Sequence, residues 1–479
     1  MNEFLSLPHA PSSLSCPVPT GTRIELAPRV RVLGERLLAG GSPWRLLTLK
    51  GVSRDVVARW SRGDVVRPGE ETLARTLVDR GVARTRAANR LDALDVDVII
   101  PVYGHSYHLD ALVSRLAQWP ITIVDDGSPD SAAIADVARR AGATLVRLES
   151  NQGPAAARNA GLRATTREFV WFLDADVELE DPAHTFARLG AYTSDPRVAG
   201  VAPRVRGTPG HHARDRFERH FGPLDLGDAS ALVTPSGSVS YVASACLLAR
   251  RDALGHGFDP TLRVGEDVDL VWRLHDHGWL VHYDADVTVT HLARPTWRQW
   301  WSQRVGYGRS AAALAARHGS RLAPLRLDPW TGGAWLAIVA GRPQVAGHLW
   351  VSARETLARR VSDEPRGSRV ASALVARATA TGGADLARGA VRVYGPWLAL
   401  ATLVPRWRRR ALTIIAVGVA WRWRRGHVDL RDVPLAALDD LAYAVGVARG
   451  ARAARSWRAL TPAWVGPWRD LLGLATRDR

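Results

Sequence analysis

Residues 95–290 predict an α/β fold built on a mostly parallel sheet, and three observations carry that expectation. Strand-like runs at 96–101, 121–124, 144–148 and 169–173 alternate with helix-periodic stretches at 108–118, 132–141 and 155–164. Such βαβ spacing implies parallel strands covered by helices on both faces. Polar clusters fall where strands end: Pro101-Val102-Tyr103-Gly104, then Asp125-Asp126-Gly127-Ser128, then Asp174-Ala175-Asp176. Sheets of this kind bind ligands beyond the carboxyl ends of their strands. The third cluster ends the bulky run Phe169-Val170-Trp171-Phe172-Leu173, which reads as a buried strand delivering two carboxylates to a sheet edge. Strand alternation points Asp174 and Asp176 the same way, toward a hard divalent cation, Mg2+ or Mn2+.

Each cluster has a use and a plainer alternative. Asp125 or Asp126 can accept the imide N–H of uracil, yet Asp-Gly-Ser is also good turn chemistry. The stretch 153–161 opens a helix with small residues that let a ribose or a second backbone come close, and Arg158 can meet a uridine or a diphosphate. Asn151 is the alternative cap of that helix. Gly265-Glu266-Asp267 begins a helical stretch at 267–277, where carboxylates also serve the N-terminus. His291 follows the strand-like run 287–290.

Composition narrows the setting. The chain has 479 residues, enough for several domains, and carries a net charge of +17. Residues 291–479 hold 31 arginines and 11 acids, whereas residues 1–290 hold 33 basic and 36 acidic residues. Lys50 is the only lysine, and no nucleic-acid reading motif accompanies the arginines, so a nucleic-acid partner is not expected. Cys16 and Cys246 are too few for a disulfide framework, and residues 1–20 lack the apolar core of a signal peptide. A cytoplasmic protein is expected.

Three regions follow: a small module at 1–90, the α/β domain at 91–290, and a helical Trp/Arg-rich region at 291–479. In the first, short strands at 26–33 and 37–41 precede helices at 53–62, capped by Ser53, and 70–80, ended by Gly81. In the last, the apolar runs 335–340, 397–404 and 411–421 fall short of the ~18–20 residues a spanning helix needs. Trp and Arg flank the third, which suits a helix lying in a membrane interface; core helices of a cap domain are the alternative. Arg408, Arg409, Arg422 and Arg424 are expected to be exposed under either reading. Peripheral contact with the inner face of the membrane is the expectation.

The ordered set "VIIPVYG", "IVDDGS", "NQGPAAARNAGL", "VWFLDAD" and "GEDVDLVWRL" resembles the family 2 inverting glycosyltransferases of GT-A fold. That family often has Asn after the tyrosine of the first motif, where this chain has Gly104. The resemblance implies a UDP-sugar donor bound by Pro101, Tyr103, Asp125, Asp126, Arg158 and Asp174. It implies a divalent cation on Asp174, Asp176 and His291, and Asp267 as the base that takes the acceptor's proton, with Glu266 as the next candidate. The sequence at 299–305 fails the Gln-x-x-Arg-Trp pattern of processive synthases, which gives no support for a long-chain polymerase.

Residues 1–90 resemble the winged-helix modules that recognise precursor peptides in ribosomal peptide modification. The whole layout, including "SPWRLL" and "RVGYGRSAAALAARHG", is similar to the glycosyltransferases of mycofactocin biosynthesis in actinobacteria. That likeness implies transfer of a hexose, glucose from UDP-glucose, to a peptide-derived small-molecule acceptor as β-linked units. A transferase of cell-wall or lipid-linked glycan synthesis is the alternative; a binding module without chemistry is disfavoured by Asp174, Asp176 and Asp267.

Overall fold

The computed structural model describes residues 7–13, 15–33, 36–49, 51–86, 94–104, 107–210, 212–292, 296–362, 366–426 and 430–465. The chain forms two compact units, Met1–Ala293 and Arg294–Arg479. The expected boundary near residue 90 lies outside the described residues.

The first unit opens with β1 (Arg23–Leu26), β2 (Arg31–Leu33), β3 (Leu37–Gly40), β4 (Arg45–Thr48), α1 (Val52–Trp60), α2 (Glu71–Asp79) and β5 (Ala83–Arg86). Strands β2, β3 and β4 make an antiparallel sheet in that order, and β1 pairs with β5. Helix α1 starts one residue before Ser53, at a Gly51 N-cap, so Ser53 does not cap it. Val57 and Trp60 of α1 and Leu77 and Val78 of α2 are buried against these strands. The elements are bolted to the large sheet by a buried bidentate pair in which both Arg75 nitrogens donate to Asp195 at 2.9 Å. Apolar burial and paired ions therefore both fix this module to its neighbour.

The α/β part runs β6 (Val96–Val102), α3 (Tyr107–Arg115), β7 (Ile121–Asp125), α4 (Ser131–Ala141), β8 (Thr144–Arg147), α5 (Pro154–Ala164) and β9 (Phe169–Leu173). It continues with β10 (Val177–Glu178), α6 (Pro182–Gly190), β11 (Val198–Gly207), α7 (Ala213–Phe221), β12 (Ala231–Leu232), β13 (Cys246–Arg250), α8 (Arg251–Leu254), α9 (Glu266–Asp276) and β14 (Leu280–His291). The nine-stranded sheet has the order β10-β14-β11-β13-β9-β6-β7-β8, with β12 on β14. Strands β9, β6, β7 and β8 are parallel, as the βαβ spacing requires, and β11 is parallel to β14. Strand β13 enters antiparallel between β9 and β11. Every residue of β7 and β9 is buried, which explains why β9 is uninterrupted apolar and β7 is apolar apart from Thr122 and its terminal Asp125. Gly161 lets α5 lie flat on this sheet: a Cβ there would sit 2.4 Å from the Ile99 side chain.

The second unit contains α10 (Trp297–His318), α11 (Thr331–Val339), α12 (Pro343–Arg360), α13 (Gly367–Ala401), α14 (Pro405–Gly426) and α15 (Val433–Ala453). Its two short strands, β15 (Arg326–Leu327) and β16 (Ala463–Trp464), pair in parallel. Gly308 on α10 and Gly446 on α15 leave no room for a Cβ, so those two backbones touch. Asp439 and Asp440 of α15 hold arginines from three other helices. Arg388 of α13 grips Asp440 at 2.6 and 2.7 Å. Arg422 of α14 donates to Asp439 at 2.8 Å and Asp440 at 3.1 Å, and Arg304 of α10 reaches Asp439 at 3.3 Å. Arg422 is therefore not exposed as expected; its head is taken by a cross-helix partner that local sequence cannot reveal. The side chain of Arg424 lies outside the described residues. Among the described residues no helix is long and apolar enough to cross a membrane.

Candidate active site

The candidate site forms where β9 ends. After Leu173 the chain turns tightly: the Asp174 N–H donates to the Ala245 carbonyl at 2.9 Å, and the Val177 N–H returns to the Asp174 carbonyl at 3.1 Å. Asp174 and Asp176 thus converge through a turn, rather than through strand alternation. Strand β10 then pairs antiparallel with β14, setting Val177 opposite His291. That register brings the His291 imidazole beside Asp176, Nε2 to Oδ1 3.3 Å, across more than a hundred residues of sequence. One ligand atom from each of Asp174, Asp176 and His291 lies within 4.8 Å of the others. Two carboxylates and an imidazole form a donor set that fits a divalent cation of the Mg2+ or Mn2+ kind.

A buried arginine links this trio to the second acidic motif. Arg158 of α5 donates from Nη2 to Asp174 Oδ1 at 2.6 Å and from Nη1 to Glu266 Oε1 at 2.9 Å. Its guanidinium lies over the Phe258 ring, 5.4 Å from the centroid. Burial opposes its charge, but Asp174 and Glu266 more than offset that and hold it protonated well above the ordinary arginine range. The next residue, Asn159, fixes the Phe258 loop: its Nδ2 donates to the Phe258 carbonyl at 2.6 Å, and its Oδ1 accepts the Phe258 N–H at 2.9 Å. The Arg-Asn pair in the "AAARNAG" stretch was the available signal for these links, although its partners lie about a hundred residues away.

Gly265 takes a left-handed conformation, φ 84°, and so starts α9 with Glu266 and Asp267 in its first turn. Burial pushes the Glu266 carboxyl up to about 7, the Asp267 charge adds to that, and Arg158 opposes both. Asp267 is half-buried. Its carboxyl is also raised, first by burial and then by Asp174, against the Val268 N–H that its Oδ1 accepts at 2.8 Å and against Arg158. Asp269, two residues on in the same first turn, is fully buried and accepts from Arg273 at 2.7 Å.

The other expected donor residues sit at the neighbouring strand ends. Pro101 is half-buried near the end of β6, and Tyr103 is exposed beyond it. The Gly104 N–H donates to Ser128 Oγ at 2.9 Å and ties the first loop to the second. Asp125 Oδ1 accepts the Ser128 N–H at 2.8 Å, while Oδ2 meets Arg147 at 3.2 Å. Asp126 accepts the N–H groups of Gln152 and Gly153 at 2.7 and 2.8 Å, one on each oxygen. In this structure both carboxylates hold loops, which is the turn chemistry their sequence also allowed. Asn151 does not cap α5; it accepts from Arg263 at 2.8 Å. Arg158 likewise faces carboxylates rather than open space.

The balance of charge defines what the site can do. Asp174 and Glu266 share one buried guanidinium, with Asp267 next in the chain and Asp176 beside His291, so carboxylates gather at the carboxyl end of the sheet. A cation and the diphosphate it accompanies would meet Asp174 and Asp176, and a hydroxyl could lose its proton to Glu266 or Asp267.

Comparisons with known proteins give the chain's relatives. Residues 97–258 match the model of Glycosyl transferase family 2. The pre-mycofactocin glycosyltransferase of Mycobacterium tuberculosis is 36% identical over 465 residues, spanning 93% of this chain and 98% of that protein. The poly-beta-1,6-N-acetyl-D-glucosamine synthase of Staphylococcus epidermidis is 26% identical over 238 residues, covering 46% of this chain and 56% of the synthase. Among solved structures, a mannosyltransferase from Pyrobaculum calidifontis in complex with GDP-Man and Mn2+ is 20% identical, covering 71% of this chain and 90% of that one, with a TM-score of 0.37. With this near full-length likeness, the chain belongs to the family 2 glycosyltransferases that include the pre-mycofactocin glycosyltransferase.

Proposed function

We propose that the enzyme transfers glucose from UDP-glucose, with inversion, to a peptide-derived mycofactocin precursor and so builds β-linked glucose units. The observation that carries this reading is the Arg158 bridge, which ties Asp174 of the candidate cation ligands to Glu266, the residue beside the candidate base Asp267. The whole-length likeness to a pre-mycofactocin glycosyltransferase supports the choice of acceptor.

Asp174, Asp176 and His291 are the residues to hold a divalent cation, which when bound supplies charge compensation for the leaving diphosphate. Pro101, Tyr103, Asp125 and Asp126 border the nucleotide-sugar side. In the transfer an acceptor oxygen forms a bond to the anomeric carbon as the bond from that carbon to the diphosphate breaks. The hydroxyl proton passes to the Asp267 carboxylate, and UDP departs. Asp267 suits this role better than Glu266, because Glu266 is committed to Arg158 while Asp267 is half open. Arg158 keeps Asp174 and Glu266 in place and is a positioning residue. The reading places the enzyme in the cytoplasm.

The test is mass spectrometry of products from the purified protein, offered UDP-glucose, other UDP-sugars and GDP-mannose with a mycofactocin precursor or a polyprenyl phosphate. Hexose addition to the precursor from UDP-glucose, with a β anomeric signal by NMR, is the expected result. Consumption of the polyprenyl acceptor alone would replace this reading by lipid-linked glycan synthesis.

A further inference from the structure

Helices α13 and α14 form an antiparallel hairpin. Gly418 of α14 packs against Ala387 and Val391 of α13, and the Trp421 indole N–H donates to Asp385 at 2.9 Å. The base of this hairpin is held by the Arg388 and Arg422 pairs with α15. Its other end is different. No residue from 397 to 410 is buried. Trp397 and Leu403 are each 71% exposed, Leu400 56%, and Trp407 and Val404 about two-fifths. Arg406, Arg408, Arg409 and Arg410 stand exposed among them. Scattered exposed apolar residues are ordinary, but five within eleven positions at one turn form a patch that calls for a partner.

We propose that this hairpin end is a docking surface for an anionic lipid bilayer. The charge selects the partner. Four arginines, Arg406, Arg408, Arg409 and Arg410, are exposed at this end, and residues 397–410 contain no aspartate or glutamate. Large apolar side chains and arginines share the same turns of helix, so one side chain enters the acyl boundary while its neighbour meets a headgroup phosphate. Two tryptophans at the border suit the headgroup level. The hairpin rests on the surface and does not cross it, since among the described residues no helix is long and apolar enough to span. The inference is independent of the sugar and acceptor proposed above.

The test uses the full chain with sedimenting vesicles of phosphatidylcholine containing phosphatidylglycerol, against vesicles of phosphatidylcholine alone. The parent should partition preferentially onto the anionic vesicles and be only partly released by high salt, since apolar insertion is not screened. Arg406→Gln with Arg409→Gln should weaken partitioning roughly 30-fold, about fivefold for each arginine at a lipid surface. Trp397→Ser, Leu403→Ser and Trp407→Ser together should abolish the salt-resistant fraction. All these positions are exposed, so circular dichroism and melting should match the parent. Equal binding of the parent to both vesicle types, or triple-variant binding like the parent's, would overturn the proposal. A parent that is dimeric in sedimentation, ignores vesicles and becomes monomeric in the triple variant would assign the surface to a second copy instead.

Discussion

Two buried clusters in this molecule use the same chemistry, arginine against carboxylate, with opposite balances. At the end of β9 one arginine, Arg158, faces Asp174 and Glu266, with Asp176 and Asp267 close by. In the helical unit four arginines, Arg304, Arg388, Arg392 and Arg422, surround two aspartates, Asp439 and Asp440. The consequences for proton affinity are opposite. Burial and a like-charged neighbour push Glu266 up to about 7. Burial also works against the Asp439 charge, but Arg392, Arg422 and Arg304 outweigh it and hold that carboxyl below the usual range. The first cluster sets two carboxylates on a single guanidinium, a balance that a cation and a transferred proton suit. In the second, the arginines more than compensate both aspartates and the pairs join four helices. A buried ion pair is not by itself a sign of function; what separates the two is which charge is in excess around the carboxylates.

The comparison breaks most sharply if the acid-rich cluster is not the reactive one. Asp267→Asn keeps the shape but cannot accept a proton, so turnover should fall by roughly 10²–10⁴-fold. UDP-sugar affinity, measured by calorimetry, should barely change. Loss of donor binding together with turnover would move Asp267 to the donor side. Asp176→Asn should likewise remove most turnover, and added Mn2+ should restore part of it if the lost carboxylate weakens cation binding. Full activity of Asp176→Asn in metal-limited buffer would remove the trio from the mechanism.

The compensated cluster should respond in stability instead. Asp440→Asn leaves Arg388 and Arg422 without the carboxylate they share, inside packed helices. Removing one partner of a buried pair costs about 3–5 kcal/mol. Urea unfolding should show that loss, whereas glycosyl transfer by the remaining folded protein should stay within a few-fold of the parent's. An unchanged midpoint would mean that the arginines are satisfied elsewhere.

How these clusters appear in the sequence explains what could be read there. The strand ends were legible, because β7 and β9 are buried on both faces and read as apolar runs ended by polar residues. Asp174, Asp176 and His291 were also legible as a group, although the register of β10 on β14, and not strand alternation, unites them. The partner of Arg158 was not. Guanidinium chemistry suits a diphosphate and a carboxylate equally, and only the fold decides that Glu266, 108 residues on, is within reach. Asp125 and Asp126 show the same ambiguity, since turn formation and base recognition draw on the same residue type. The insertion of β13 between β9 and β11 left no trace in the local pattern, because antiparallel and parallel core strands are equally apolar. In the helical region Arg422 borders an apolar run much as a membrane-facing arginine does, and its pairing with Asp439 and Asp440 depends on helix α15 returning beside it.

The smallest expected effect sharpens the contrast through pH. The Glu266 carboxyl rises from an ordinary 4.5 to about 7 in the folded chain. Between those values the folded protein holds a proton that the unfolded chain has released. This group's contribution to stability is therefore present below about pH 4.5 and is lost as pH rises through about 7. Its slope is negative and at most about 1.4 kcal/mol per pH unit. Glu266→Gln carries no titrating group, so its unfolding free energy should fall less, or rise more, than the parent's over that window, whatever its absolute stability. Asp267→Asn should narrow the same window, because removing the neighbouring charge lowers the Glu266 carboxyl. Asp439→Asn should act in the opposite sense, since a depressed carboxyl contributes stability that is present above its unfolded value and lost as pH falls. Urea unfolding of the four proteins from about pH 2 to pH 8 tests all three signs, the Asp439 effect falling below about pH 4 and the Glu266 effect above it. Parallel profiles for the parent and Glu266→Gln would show that Arg158 offsets the burial of Glu266 completely and leave Asp267 as the one raised carboxyl of the pair.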